Sequence, residues 1–281
     1  MNFFLLAVLI GCAYAAFCGY TYLIQDNLLY YPNPLVPSQA MLDVAGLTEW
    51  PGGHSSFRGF VASDSKGEYS ALVVVFHGNA GSAWQRDYYV DIFGTLGFRV
   101  VLAEYPGYGG RPGRVGEENF IEDAKETVRL AARQFNGPVF LCGESLGAAV
   151  AAGVACDPPV DIAGLILITP WDSLVDVAAR HYWYLPVRWL ARDRYDSVVN
   201  LTEFKGRVAV VLAEKDEIVP VRHGEKLFNS LKTDKKLWRL PGTGHNNWAS
   251  ILSTKKWSEI ANFMLSEALK TNPANGQGEK K

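Results

Sequence analysis

The stretch "LCGESLGAAV", residues 141–150, decides the reading of this chain. Within it, Gly143-Glu144-Ser145-Leu146-Gly147 fits G-x-S-x-G, the pattern in which a strand turns sharply into a helix and lifts a serine oxygen clear of the backbone. Five residues match by accident often enough that their surroundings must carry the argument. Before them, "PVFLC" (138–142) has the β-branched and aromatic content of a buried strand; after them, "LGAAVAAGVA" (146–155) reads as a helix of small residues. Gly143 and Gly147 then have a physical purpose, because strand and helix backbones approach too closely at such a turn to admit side chains.

Working outward, "ALVVVFHG" (71–78), "FRVVLAEY" (98–105), "AGLILITP" (163–170) and "VAVVLAEKD" (208–216) are short apolar runs with no polar face, as expected of strands covered on both sides. A further strand is expected ahead of "PGTGHNNW" (241–248). Between the runs, Phe120, Ile121, Ala124, Val128, Ala131 and Phe135 recur at helical spacing. Glu117, Glu118 and Glu122 stand early in that helix and Arg129 and Arg133 late, which complements its dipole, and Gly137-Pro138 stops it. Strands alternating with helices predict a doubly wound, mostly parallel α/β sheet, whose ligands sit beyond the carboxyl ends of the strands.

A serine hydroxyl needs a base to take its proton and an acid to orient that base. Of the five histidines, His245 has the right place, in a glycine-rich loop after the last strand and before the final helix. His77 ends a strand and reads as a loop organiser; His54, His181 and His223 lie in irregular, cap-like and helical segments. The acid should follow a strand between the serine and the histidine. Asp216 is preferred over Glu214 and Glu217 because each glutamate carries an extra methylene, and Asp172 in "ITPWDS" (168–173) is the reserve. For the oxyanion, the backbone amide of Leu146 follows the nucleophile, and Asn79 in "HGNAGS" (77–82) offers a second, ahead of Ala80. That loop has neither a Walker lysine nor G-x-G-x-x-G, so a phosphate cradle is disfavoured.

The composition is that of an ordinary globular protein, 48% hydrophobic and 20% charged with net charge −2, and it has no basic footprint for nucleic acid. Cys12, Cys18, Cys142 and Cys156 form no disulfide framework. Residues 3–24 carry no charge, and as a helix they match the ~30 Å hydrocarbon core of a bilayer. "AYA" (13–15) resembles a signal-peptidase site and "LIGC" (9–12) a lipoprotein box, but apolarity runs past both, so an uncleaved anchor is expected. Arg58 is the first basic residue, which leaves the membrane side open. "NLLYYPNPLVPSQ" (27–39) reads as an extended connector, with Tyr30 and Tyr31 suited to the interface. The expected organisation is an anchor over 1–25, a domain over 26–271 with a short cap near 172–204, and a disordered polar tail over 272–281.

"HGNAGS", "EYPGYGG", "GESLG", "EKDEIVP" and "GTGHNN" occur in the order found in α/β-hydrolases. From about residue 25 to 270 the chain resembles their membrane-anchored branch of acyl-protein thioesterases, lysophospholipases and esterases. The resemblance implies a Ser145, Asp216 and His245 triad, an oxyanion hole from Asn79 and Leu146, no cofactor or metal, and hydrolysis of acyl esters or thioesters through an acyl-enzyme. The cap departs from the larger lids of that branch: it is short and aromatic, "HYWYLPVRWLARDRYDS" (181–197). Tyr182, Trp183, Tyr184 and Trp189 are candidates to line an acyl pocket, to lie against lipid, or to pack the cap onto the sheet. Two other readings stay open at this point, a peptidase of the same fold and a catalytically silent scaffold that binds a lipid or protein. The oligomeric state is not legible.

Overall fold

The apolar runs line up as neighbours in one sheet, in a computed structural model that describes residues 3–52, 56–63 and 69–268. The polar tail expected over 272–281, and His54, lie outside the described residues. Eight strands form the sheet among the described residues: β1 (Leu47–Trp50), β2 (Gly59–Ala62), β3 (Ala71–Phe76), β4 (Phe98–Ala103), β5 (Val139–Glu144), β6 (Ile162–Ile168), β7 (Arg207–Ala213) and β8 (Lys235–Leu240). Their spatial order is β1-β2-β4-β3-β5-β6-β7-β8. From β4 to β8 every pairing is parallel, and only β2 runs against both its neighbours.

Because side chains alternate along a strand, the sheet feeds two cores. Leu72, Val74 and Phe76 of β3 join a cluster with Phe120, Ala124 and Val128 of α3 (Glu117–Gln134) and with the whole inner length of α4 (Leu146–Cys156). Ala71, Val73 and Val75 join the opposite cluster, with Tyr89 and Phe93 of α2 (Tyr88–Thr95) and Trp257, Ile260 and Met264 of α9 (Thr254–Ala268). Every residue of α4 from Leu146 to Ala155 is buried. Its small side chains let it lie close to both the sheet and α3: a Cβ added at Gly153 would come within 2.4 Å of Ile121 Cδ1.

Between β6 and β7 the chain builds the cap from three short helices, α5 (Leu174–His181), α6 (Val187–Leu190) and α7 (Ser197–Asn200); α8 (Val221–Ser230) follows β7. The N-terminal helix α1 (Phe3–Leu29) is 27 residues long and has an apolar window of mean hydropathy 2.1, enough in length and composition to cross a membrane. It does not stop where the uncharged run stops. Gln25 and Asp26 are held by the cap: Gln25 Nε2 donates to Leu190 O (3.3 Å), Gln25 Oε1 accepts from the Arg192 amide (2.8 Å), and Asp26 pairs with Arg192. Polar residues that would end a free apolar span therefore continue the helix to Leu29. Tyr30, expected at the membrane interface, is instead buried in the core and donates from its hydroxyl to Asp193 Oδ2 (2.5 Å). Burial, together with the neighbouring Tyr195 and Asp193, pushes the Tyr30 phenol far above its ordinary range, so it stays a donor.

Candidate active site

The turn from β5 into α4 is as tight as the two glycines imply. Ser145 has φ 52°, a left-handed conformation rare for a residue with a side chain. Its amide donates to Ile168 O at the tip of β6 (2.9 Å), which pins the strained residue in place. A Cβ at Gly143 would lie 2.2 Å from Gly147 O, and one at Gly147 would lie 2.0 Å from Phe76 O. Neither position admits any other residue without displacing backbone.

The loop after β8 places His245 over this serine, with Nε2 2.9 Å from Ser145 Oγ. The loop after β7 places Asp216 on the other side of the ring, with Oδ2 2.7 Å from His245 Nδ1. A carboxylate only accepts, so Nδ1 carries the imidazole proton and Nε2 keeps a lone pair for the serine hydroxyl. Asp216 is itself fixed through Oδ1 by the amides of Ile218 (3.0 Å) and Val219 (2.6 Å). Among the described residues Glu217 accepts from the His245 amide alone, at 3.4 Å, and Glu214 is exposed. The shorter acid is thus the one that meets the ring. Asp172, the reserve, is committed elsewhere. It accepts from His223 Nδ1 and from Lys226 Nζ, both at 2.7 Å, and from the Ser173 amide. Burial alone would raise its pKa, but these donors outweigh burial and bring it down to about 2.

Asn79 lies beside the serine on the loop after β3. Its side-chain Nδ2 donates to Leu29 O (2.9 Å), and its carbonyl accepts from the Tyr31 amide (2.9 Å) and the Tyr108 hydroxyl (2.7 Å). Its backbone N–H donates no hydrogen bond among the described residues. Leu146, as the first residue of α4, has an amide with no acceptor inside the helix, at the positive end of the helix dipole.

Sequence reasoning passed over Glu144, the second residue of the pentapeptide. Its carboxylate is buried between the elbow and the Asn79 loop, accepting from Arg86 Nε (2.6 Å) and the Gly78 amide (3.1 Å) at Oε1, and from the Tyr88 and Tyr89 hydroxyls (3.3 and 3.4 Å) at Oε2. Arg86 also reaches Ala80 O (3.3 Å). This pair ties the strand that carries the serine to the loop that carries Asn79. The signal was a charged residue at the end of an otherwise apolar strand, which must find a partner. His77 does organise its loop: Nδ1 donates to Gly78 O (2.8 Å) and Nε2 faces Glu104 Oε1 (2.9 Å), both fully enclosed.

Above Ser145 and His245 opens a cavity of about 600 Å³. Trp171, Leu174, Val177 and Leu185 line it from the cap side, and Tyr22, Gln25, Leu28 and Leu29 of α1, which packs against the cap, line it as well. Of the four aromatics proposed for a pocket, Tyr182 borders this cavity. Trp183, Tyr184 and Trp189 do not. After α5, Leu185 and Val187 turn inward onto Val175, so the residues between and beyond them point outward; Trp183 and Trp189 are 80% and 89% exposed.

Comparison with known proteins agrees with this architecture. The family model described as serine aminopeptidase, S33, matches residues 67–194. An uncharacterized protein of Mycobacterium tuberculosis strain H37Rv is 34% identical over 229 residues, which cover 79% of this chain and 81% of that one. The lysophosphatidylserine lipase ABHD12 of Gallus gallus is 28% identical over 192 residues, 61% of this chain; the chain spans about half, 50%, of that relative's length. Among solved structures, the esterase Pf2001 of Pyrococcus furiosus superposes with a TM-score of 0.65 at 16% identity, covering 85% of this chain and 97% of that one, a likeness of fold. The chain belongs to the α/β-hydrolase superfamily, and it is a hydrolase.

Proposed function

We propose that this protein is a membrane-anchored serine hydrolase that cleaves carboxylic esters or thioesters of lipid acyl groups. The observation that carries the reading is the unbroken relay from Asp216 through His245 to a strained, accessible Ser145, opening into a cavity with apolar walls. In the reaction so inferred, Ser145 Oγ attacks the acyl carbon as its proton passes to His245 Nε2. The amides of Leu146 and Asn79 receive the oxyanion. Collapse breaks the bond to the leaving oxygen or sulfur, which takes the proton from His245, and the acyl group stays on Ser145. A water then gives its proton to His245 and attacks, the Ser145 ester bond breaks, and the proton returns to Oγ. The apolar helix α1, built into the cavity wall, supports a single-pass N-terminal anchor and an acyl substrate taken at the membrane. The name of the ABHD12 relatives points to single-chain phospholipid esters as the first substrates to try.

A fluorophosphonate probe tests the activated serine. Labelling is expected in the wild type and lost in Ser145→Ala and His245→Ala; a catalytically silent scaffold would not label at all. The serine aminopeptidase family model favours peptidase chemistry as a second reading. Detergent-solubilised enzyme assayed against lysophospholipids, monoacylglycerols, acyl-thioesters and aminoacyl-arylamides separates the two, and preferential turnover of the arylamides would overturn the esterase reading.

A further inference from the structure

The cap does not merely meet the end of α1; it runs down its side. Tyr14 Oη donates to Tyr184 O (2.8 Å), Phe17 stacks on Tyr184, and Cys18 packs on the cluster of Val175, Leu185 and Val187. Asp26, the first charged residue of the chain, pairs with Arg192. From that ion pair to Tyr14 is twelve residues, about 18 Å of helix. One leaflet of hydrocarbon is about 15 Å thick. If Asp26 and Arg192 stand among the headgroups of a bilayer that α1 enters, the loop that touches Tyr14 lies within the proximal leaflet.

The surface of that loop suits such a place. Trp183, 80% exposed, meets Tyr184 edge to face, and Tyr184 stacks on Phe17 of α1; Trp189, 89% exposed, follows on the same segment of the cap. Large aromatic side chains left this exposed to water gain by transfer into an apolar environment, and their exposure marks a contact surface. Arg188, the one charged residue within 182–190, is paired with Asp176 (2.7 Å), which offsets its charge. The seam between α1 and the cap, with Tyr22 and Leu28 on one side and Tyr182, Leu185 and Leu190 on the other, is also the wall of the catalytic cavity.

We infer that the cap tip, residues 182–190, is a wedge seated in the proximal leaflet, and that the acyl chain reaches Ser145 sideways along the seam with α1 without crossing water. This rests on the reading of α1 as an anchor. The full chain, reconstituted into phosphatidylcholine vesicles, tests both. Flotation with the vesicles is expected; a protein that stays in the aqueous phase would overturn the anchor and the wedge together. For floating protein, lipids brominated on the acyl chain are expected to quench tryptophan fluorescence, and Trp183→Phe/Trp189→Phe to lose most of that quenching. Equal quenching in both proteins overturns the wedge and leaves the anchor standing, as does shielding of both tryptophans from acrylamide without quenching by brominated lipid, which would mark a protein contact. Trp183→Ser/Trp189→Ser is expected to slow hydrolysis of a bilayer-resident monoacyl ester at least about tenfold while leaving a soluble p-nitrophenyl ester unaffected. Equal loss on both substrates overturns lateral entry.

Discussion

Two histidines in this molecule make the same bond. His245 Nδ1 meets Asp216 at 2.7 Å, and His223 Nδ1 meets Asp172 at 2.7 Å, both pairs largely enclosed. What differs is the far side of each ring. His245 Nε2 faces a serine on a strained turn under an open cavity, whereas His223 Nε2 accepts from Arg222 (3.2 Å), and Lys226 occupies the second oxygen of its acid. An imidazole held by a carboxylate is a common way to satisfy two buried polar groups. Only the third group and the space beyond it turn that arrangement toward chemistry.

The largest test of the contrast is Ser145→Ala or His245→Ala, each expected to lower kcat by about 10⁴-fold or more on any ester the protein turns over, with circular dichroism unchanged. Next come the two acids. Asp216→Asn should lower kcat about 10³- to 10⁴-fold by disturbing the tautomer of His245, whereas Asp172→Asn should leave kcat within about threefold and lower the melting temperature instead. Comparable losses of turnover in both would give Asp172 a part in the chemistry alongside Asp216. Glu144→Gln, which keeps the shape but weakens the tie through Arg86 to the Asn79 loop, is expected to reduce kcat about tenfold with KM little changed; a change in KM alone would make Glu144 a binding residue. The smallest effect is in acid. Asp172 is depressed from 3.8 to about 2 in the folded protein, so its contribution, about 2 kcal/mol, is full above the unfolded value and fades as the pH falls through about 2. Urea unfolding of wild type and Asp172→Asn should therefore converge between about pH 4 and pH 2.

The sequence spoke most clearly where burial is complete. Runs such as "ALVVVF" and "GLILI" have no polar face, and a strand covered on both sides is their simplest solution, so the parallel body of the sheet and the elbow within it were legible. The edge pair β1 and β2 went unread because each is four residues long and β1 mixes buried with exposed positions, which leaves no period to detect. The aromatic cap was misassigned in part for the same reason: in an irregular segment nothing local says which of Tyr182, Trp183, Tyr184 and Trp189 turns inward. Tyr30 and the extension of α1 depended on partners more than 160 residues away in the cap. Glu144 and Arg86, 58 residues apart, were likewise joined only by the fold.

The intimacy of α1 with the cavity also bears on how this enzyme can be handled. Removing the apolar N-terminus is the usual way to obtain a soluble form, and here a cut at residue 25 would take away Tyr22 and Gln25, part of the cavity wall, and with Gln25 its hold on the cap. Ser145, His245 and Asp216 would remain in such a protein. Its choice among acyl chains is expected to broaden, so a substrate profile measured on the trimmed protein would describe a different catalyst from the untrimmed one.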